Sequence, residues 1–417
     1  MHQPPNSPLE APIISPRIFQ SLANPAFRRL WFAGWLWYSN RWIETITLSW
    51  LVLQLTDSPA QVAFVGVSRM APMFLFGLAA GSISDRFAKK PILIASQVGN
   101  LLVSVVLMLV FIFGSIHTWH AFVATFLTGV AWAVDFSVRR AYFATIFPQN
   151  RIENAISLDT ASLTGSSILG PLLGGGIIAI AGFTGAYALM VGLYLAGLVL
   201  LISVNTPHDG VTDSESNENT ITRILRIVHF ARTNQQIWAV VIITLALNLF
   251  GFPYMQMVPV IARDVLGAGE VLYGVLGSAA GVGSLLGSLM IASNRFQHQG
   301  AVHALGALLM LVAVFLFAWS TFYPLSLICL FLAGIGMSGF AIMQIVMVLQ
   351  ATPSELRGGA MGMVALAISA SPIGLLVVGQ LAETFGPQSA LRLWSGLGAI
   401  VIFTLYWCLP GLRRATG

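Results

Sequence analysis

The stretch Gly81-Ser-Ile-Ser-Asp-Arg-Phe-Ala-Lys-Lys-Pro91, GSISDRFAKKP, places four charged residues, Asp85, Arg86, Lys89 and Lys90, within six positions. Apolar runs flank it on both sides, each about 20 residues long and therefore able to cross a bilayer as a helix. A short basic loop between two such runs is retained on the cytoplasmic side. The rest of the chain repeats this contrast. Charged residues make up 8% of the 417 positions and AVILMFWYC residues 57%, with a mean hydropathy of +0.83, whereas a soluble domain devotes about a quarter of its residues to charge. Lipid is therefore the expected solvent over most of the surface. The net charge of +5 is then a matter of membrane sidedness, and no nucleic-acid partner is expected. Cys329 and Cys408 fall inside apolar runs, which argues against a disulfide framework or a metal cluster. Residues 1–24, with Pro4, Pro5, Pro8, Pro12 and Pro16, read as a disordered tail without the marks of a secretory signal.

Twelve spans are expected, near 30–55, 60–82, 91–113, 119–141, 155–180, 184–204, 236–262, 271–292, 301–319, 324–350, 359–382 and 389–410. With both termini in the cytoplasm, sixteen basic residues fall on the inner side and two, Arg263 and Arg392, on the outer side; Arg41 and Arg69 lie inside spans. The expected organisation is a tail (1–24), a six-helix half (25–204), a linker (205–235), a second six-helix half (236–411) and a short tail (412–417). Within the linker, "ITRILRIVHFAR" has the helical spacing of a segment lying on the membrane surface.

The two halves echo each other. Ser84-Asp85-Arg86-Phe87 corresponds to Ser293-Asn294-Arg295-Phe296 at an offset of 209, Pro148 and Arg151 to Pro353 and Arg357 at 205 and 206, and Pro171 to Pro372 at 201. Echoes at nearly one spacing, each at the same point of the topology, indicate a parallel six-plus-six repeat.

On these residues the chain resembles the major facilitator superfamily. GSISDRFAKKP is similar to that family's loop signature, with Ala88 in place of its second glycine. Gly165, Gly170, Pro171, Gly174 and Gly175 resemble the glycine-proline signature of its exporters. The opening "NPAFRRLWFAGWLWYSNRW" and the later "FPQNRIENAISL" are similar to the branch with enterobactin exporters and macrolide efflux proteins. The resemblance implies an all-α membrane protein of twelve helices in two pseudo-symmetric halves. It also implies a secondary transporter of the bacterial inner membrane, an exporter moving a small molecule against protons as a monomer, without a cofactor. Import, or movement of a lysophospholipid, is the alternative on the same fold. An enzyme is not expected: there is no nucleotide-binding glycine-lysine loop, no His-Glu-x-x-His and no Gly-x-Ser-x-Gly. His117 and His120 read as ordinary loop residues.

Candidate site residues follow from depth. Arg41 lies about 16 Å from Leu30, Glu44 about 16 Å from Leu55 and Arg69 about 15 Å from Pro59, all near the midplane. There an ionised side chain must pair or border water, so these three are candidates for proton coupling in a central cavity. Glu44 could pair with Arg41 along the helix or with Arg69 across spans. Asp159 is a second coupling candidate. Gly81, Asp85, Arg86, Lys89, Lys90, Asp135, Arg139 and Arg140 form the expected cytoplasmic gate, with Asp85 accepting from Arg139 or Arg140. Trp37, Asn40, Asn248, Tyr254, Gln256, Met343, Gln344 and Met347 lie on spans one, seven and ten, which in the superfamily face the cavity, and their chemistry suits a bulky amphipathic or anionic ligand.

Overall fold

Helix α1 (Pro25–Thr56) begins where Asn24 accepts hydrogen bonds from the backbone amides of Ala26 and Phe27, and ends at Asp57 in the left-handed conformation (φ 51°). The computed structural model describes residues 17–86, 88–147, 152–205, 232, 234–293, 298–353 and 356–413. The chain continues through α2 (Pro59–Arg86), α3 (Lys89–Ile112), α4 (Thr118–Ile146) and α5 (Ile152–Ile202). The second half holds α6 (Gln235–Phe250), α7 (Tyr254–Asp264), α8 (Glu270–Ser293), α9 (Gln299–Trp319), α10 (Tyr323–Ala351), α11 (Arg357–Ile368), α12 (Ser371–Phe385), α13 (Pro387–Cys408) and α14 (Pro410–Arg413).

Ten segments among the described residues are long and apolar enough to span a membrane. One of them, Asn154–Ile202, has 49 residues and would run about 73 Å if straight, more than two hydrocarbon thicknesses. It is two crossings that meet at Gly182, whose φ of 66° and ψ of −169° only glycine adopts without strain. Helix α1, at 32 residues, is also long enough to cross but is more polar than the ten; with it the twelve expected crossings are accounted for. The outward surface is apolar: Ile180 is 85% and Phe113 78% exposed, a coat that water would not tolerate and that acyl chains solvate.

Proline divides two crossings that the sequence presents as single runs. The expected span 236–262 breaks between α6 and α7 because Pro253 has no N–H to continue the ladder, and the Leu249 carbonyl instead accepts from Trp394 Nε1 at 2.8 Å. The expected span 359–382 breaks between α11 and α12, where Pro372 opens α12. At the chain ends the structure is more ordered than expected. Arg17–Ala23, placed by sequence in a disordered tail, is a 3-10 helix, tied down where the Ser21 amide and hydroxyl donate to Asn154 Oδ1 at 3.1 and 2.6 Å. Leu412, expected in the short terminal tail, is buried. The surface helix expected at 221–232 lies outside the described residues, apart from Arg232.

The halves meet along two packed pairs, α2 with α12 and α5 with α8. In the second pair Gly175 and Gly274 face one another. A Cβ on Gly175 would lie 2.3 Å from the Glu270 carbonyl oxygen, and one on Gly274 would lie 2.5 Å from that of Pro171, so the backbones touch directly. Gly175→Leu should therefore hold the halves apart at this crossing. The expected result is loss of disulfide cross-linking between cysteines introduced at Gln54 and Glu270, in a chain lacking Cys329 and Cys408, while the parent cross-links readily.

Candidate functional site

The midplane charges assemble across three helices. Arg69 of α2 donates through Nη1 to Glu44 Oε2 of α1 at 3.0 Å, and Thr128 Oγ1 of α4 donates to the same oxygen at 3.2 Å. Both ions are 4% exposed. Of the two pairings open to Glu44, the cross-helix one forms. Arg41 does not pair with Glu44; its guanidinium lies 3.7 Å over the ring of Trp132, a favourable contact for a partly desolvated cation. Two arginines and one carboxylate leave one net positive charge here. Among the described residues, Nε and Nη2 of Arg69 and the hydroxyl of Tyr187, which lies within electrostatic reach of the pair, have no hydrogen-bond partner.

A column of rings leads from this cluster to a second one. Trp132 stacks on Trp37 with centroids 5.0 Å apart and planes 3° from parallel, and Arg139 lies over Trp37 at 5.6 Å. Arg139 grips Asp135 with two bonds of 2.8 and 2.9 Å and donates to the Leu30 carbonyl at 3.3 Å. Asp159 accepts from the Tyr38 hydroxyl at 3.0 Å to each oxygen. Trp132, Tyr38 and Thr128 are thus parts of the site that sequence reasoning missed. Their only signal was membership of the same spans, since an aromatic residue in an apolar run looks like any other.

The expected gate residues fall into different roles. Asp135 and Arg139 pair within α4 of the first half, which leaves Arg139 little capacity for Asp85. Lys90 is not a link between halves: its ammonium donates to the carbonyls of Ile202 and Val204 at 2.9 and 2.7 Å, joining α3 to the end of α5. Lys89 is buried and Arg140 half-buried. Gly81, Asp85 and Arg86 lie in the last turns of α2, with side chains outside the described residues, as is Phe87 altogether. Gly170 and Gly174 of the exporter-type motif lie against Ser39, Trp42 and Ile46 of α1, Pro171 lies against Gly274 and Gly277 of α8, and Gly165 faces open space.

Most residues expected to line the cavity are packed inside one half instead. Asn40 donates to the Met190 carbonyl at 3.4 Å. Asn248 donates to the Thr244 carbonyl, and Gln344 to the Thr244 hydroxyl at 2.6 Å. Trp37 sits in the first-half core, and Tyr254, Met343 and Met347 in the large core of the second. Amides facing hydrocarbon find partners on neighbouring helices, which turns them inward. Gln256 has a different place: it accepts from Ser49 at 2.9 Å across the halves. His117 and His120, expected in a loop, form a capping box at the start of α4. Among the described residues no cluster of three His, Cys, Asp or Glu could hold a metal.

The seal between halves lies at the end carrying residues 49–60. Arg263 donates to Asp57 at 2.7 Å and to the Leu53 carbonyl at 3.0 Å. Glu270 accepts from Trp50 Nε1 and Gln54 at 3.2 and 3.4 Å, and Trp50 stacks on Tyr273. Glu383 accepts from the Ser58 hydroxyl and the Ala60 amide at 2.8 and 3.1 Å, so one half caps a helix of the other. Deeper in, Ser278 donates to the Ile168 carbonyl at 2.6 Å.

A two-half bundle of membrane-spanning helices, sealed at one end and carrying ion pairs at mid-depth, is the architecture of a secondary transporter. Residues 17–413 match the family described as transmembrane secretion effector, and the chain belongs to that family of the major facilitator superfamily, whose members are transporters and not enzymes. The chain is 24% identical over 387 residues to the multidrug efflux pump Tap of Mycolicibacterium fortuitum, covering 89% of this chain and 92% of that protein. It is 21% identical over 260 residues to the staphyloferrin A transporter of Staphylococcus aureus (strain NCTC 8325 / PS 47), covering 62% of this chain and 65% of that protein. In fold it is similar to a bacterial homologue of the human lysosomal transporter Spinster (TM-score 0.75, 12% identity, 96% of this chain and 99% of that one). It is likewise similar to a POT family transporter (TM-score 0.76, 11% identity, 93% and 96%).

Removing one partner of the central pair strands the other in a dry interior, a loss of about 3–5 kcal/mol. Arg69→Met should therefore lower the denaturation midpoint of the purified protein sharply, and adding Glu44→Gln should recover most of the loss. Two single variants and a double that lose stability additively would contradict a direct pair.

Proposed function

We propose that this chain exports a bulky amphipathic small molecule by alternating access in exchange for protons, with Glu44 as the carboxylate that loads and releases the proton. The observation that carries the reading is the Glu44–Arg69 pair, buried at mid-depth with two nitrogens of Arg69, Nε and Nη2, unsatisfied among the described residues. Unmet charged donors are costly in a low dielectric. The sealed conformation therefore carries a penalty that opening to water, or a ligand, would relieve, as a switching element requires. The family's description and the efflux role in Tap's name support the outward direction. The basic-residue count supports cytoplasmic termini in a bacterial inner membrane, which makes the sealed end external and this conformation inward-facing.

The sign of coupling follows from charge. With Glu44 ionised, the Arg41, Glu44 and Arg69 cluster carries one positive charge; protonation raises it to two. A neutral or basic cargo that hydrogen-bonds to the Glu44 carboxylate competes with the proton, so the two alternate at the site and move in opposite directions. An acidic cargo would behave otherwise. It would be drawn by the half-buried Arg41 and by Arg69 most strongly when Glu44 is protonated, and it would travel with the proton. Arg41, with no carboxylate partner, favours this second reading for anionic molecules.

Inside-out vesicles under an imposed pH gradient, acid inside, separate these outcomes with macrolides, basic dyes and siderophores as cargo. Basic and neutral amphipaths should accumulate in wild-type vesicles, and Glu44→Gln should reduce gradient-driven accumulation about tenfold or more, the loss of one proton-transfer group. Full accumulation by Glu44→Gln would remove Glu44 from the coupling role. Arg41→Gln should weaken transport of acidic cargo only.

A further inference from the structure

Two buried arginines of the first half use their guanidinium groups differently. Arg139 turns the edge that carries Nε and Nη2 toward Asp135, one nitrogen to each carboxylate oxygen, at 2.8 and 2.9 Å. On Arg69 only Nη1 is engaged, by Glu44, while Nε and Nη2 are buried without a hydrogen-bond partner among the described residues. These two N–H groups point the same way from one rigid plane, the fork by which arginine grips an anion. A third donor stands at the same level. Helix α1 and the second crossing of α5 run antiparallel, with Asn40 donating to the Met190 carbonyl, so one turn along each brings Tyr187 level with Ile43 and Glu44. Its ring stacks on Phe111 with centroids 5.5 Å apart, and its buried hydroxyl is also without a partner among the described residues. The charges at this level do not balance. Glu44 is the acid shared by two arginines, and Arg41 rests on the ring of Trp132. Asp135, seven residues beyond Thr128 on α4 and so about 10 Å further along, is taken by Arg139. A surplus cation and buried donors without acceptors are both costly in a dry interior, and one bound anion would relieve both.

We propose that Arg69 and Tyr187 bind a small monovalent anion of the size of chloride, held by Nε and Nη2 of the guanidinium and by the tyrosine hydroxyl. One negative charge cancels the surplus of one, whereas sulfate or phosphate would exceed it. Size follows from burial: Arg69 is 4% and Tyr187 1% exposed, so a compact ion suits these donors better than a bulky acid. The inference stands whether or not Glu44 carries the transported proton, because the surplus charge is present with Glu44 ionised.

The test uses the purified full chain in phosphatidylcholine nanodiscs, with chloride exchanged for gluconate at constant ionic strength. The melting temperature should rise with chloride and saturate, as for a ligand bound by the folded state alone. Tyr187→Phe should raise the chloride concentration for half the effect about tenfold, the loss of one hydrogen bond to an ion. It should leave the melting temperature in gluconate unchanged, since the hydroxyl it removes is unpaired. The double variant Glu44→Gln with Arg69→Met, expected to keep most of the parent's stability, should lose the chloride response altogether. In crystals grown with bromide, an anomalous peak should lie within hydrogen-bonding distance of Nε or Nη2 of Arg69. Equal melting temperatures in chloride and gluconate would overturn the proposal, as would either variant responding to chloride like the parent. Bromide found only at the protein surface would mark an adventitious ion only, and the proposal would fall.

Discussion

Hydrocarbon solvates neither charge nor bare backbone, and the arrangement of this molecule follows from that constraint. Each buried cation finds a partner: Arg69 the Glu44 carboxylate of another helix, Arg41 the face of Trp132, and Arg139 the Asp135 carboxylate one turn earlier on its own helix. Backbone groups released by prolines are treated in the same way, as where Trp394 serves the Leu249 carbonyl. The first half is thereby held together by polar contacts strung along its interior. The second has one large apolar core, with the Thr244, Asn248 and Gln344 amide cluster inside it.

The buried ion pairs lie in the first half, in two clusters joined by the Trp132–Trp37 stack. The interface between halves is small-residue backbone contact at Gly175 and Gly274, with carboxylates at its rim. Behind that rim, Ile46, Trp50 and Ile178 of the first half share one apolar core with residues of the second. A rim of Asp57, Glu270 and Glu383 lies beside solvent, where exchange with water costs little, whereas the Glu44 pair lies where it costs much.

Much of this was legible in the chain itself. The all-helical membrane class and the count of crossings come from the length and spacing of the apolar runs. That positions 41, 44 and 69 need partners was legible from depth alone, because an ion far from the ends of its apolar run cannot be left facing lipid. The lining residues were not legible. Asn40, Asn248 and Gln344 were expected at the cavity, yet Asn40 and Gln344 bond to neighbouring helices and Asn248 donates within its own helix to Thr244 while accepting from Ser371 of α12, and amide-containing faces look the same from sequence whether they meet water or another helix. The seal between the halves was equally hidden: it is made by Asp57, Arg263, Glu270 and Glu383, acidic and basic residues scattered over 300 positions.

Sequence by itself determined that this chain lives in a membrane, how often it crosses and at what depth its charges sit, since these depend on the one-dimensional distance from each residue to the ends of its apolar run. Only the tertiary structure decided who pairs with whom: that Glu44 takes Arg69 and not Arg41, that Trp132 carries the leftover cation, and that the halves close at the end of α1. Pairing depends on rotation about each helix axis and on how closely two helices approach, and those are set by packing among distant segments, down to single glycines at the crossing points.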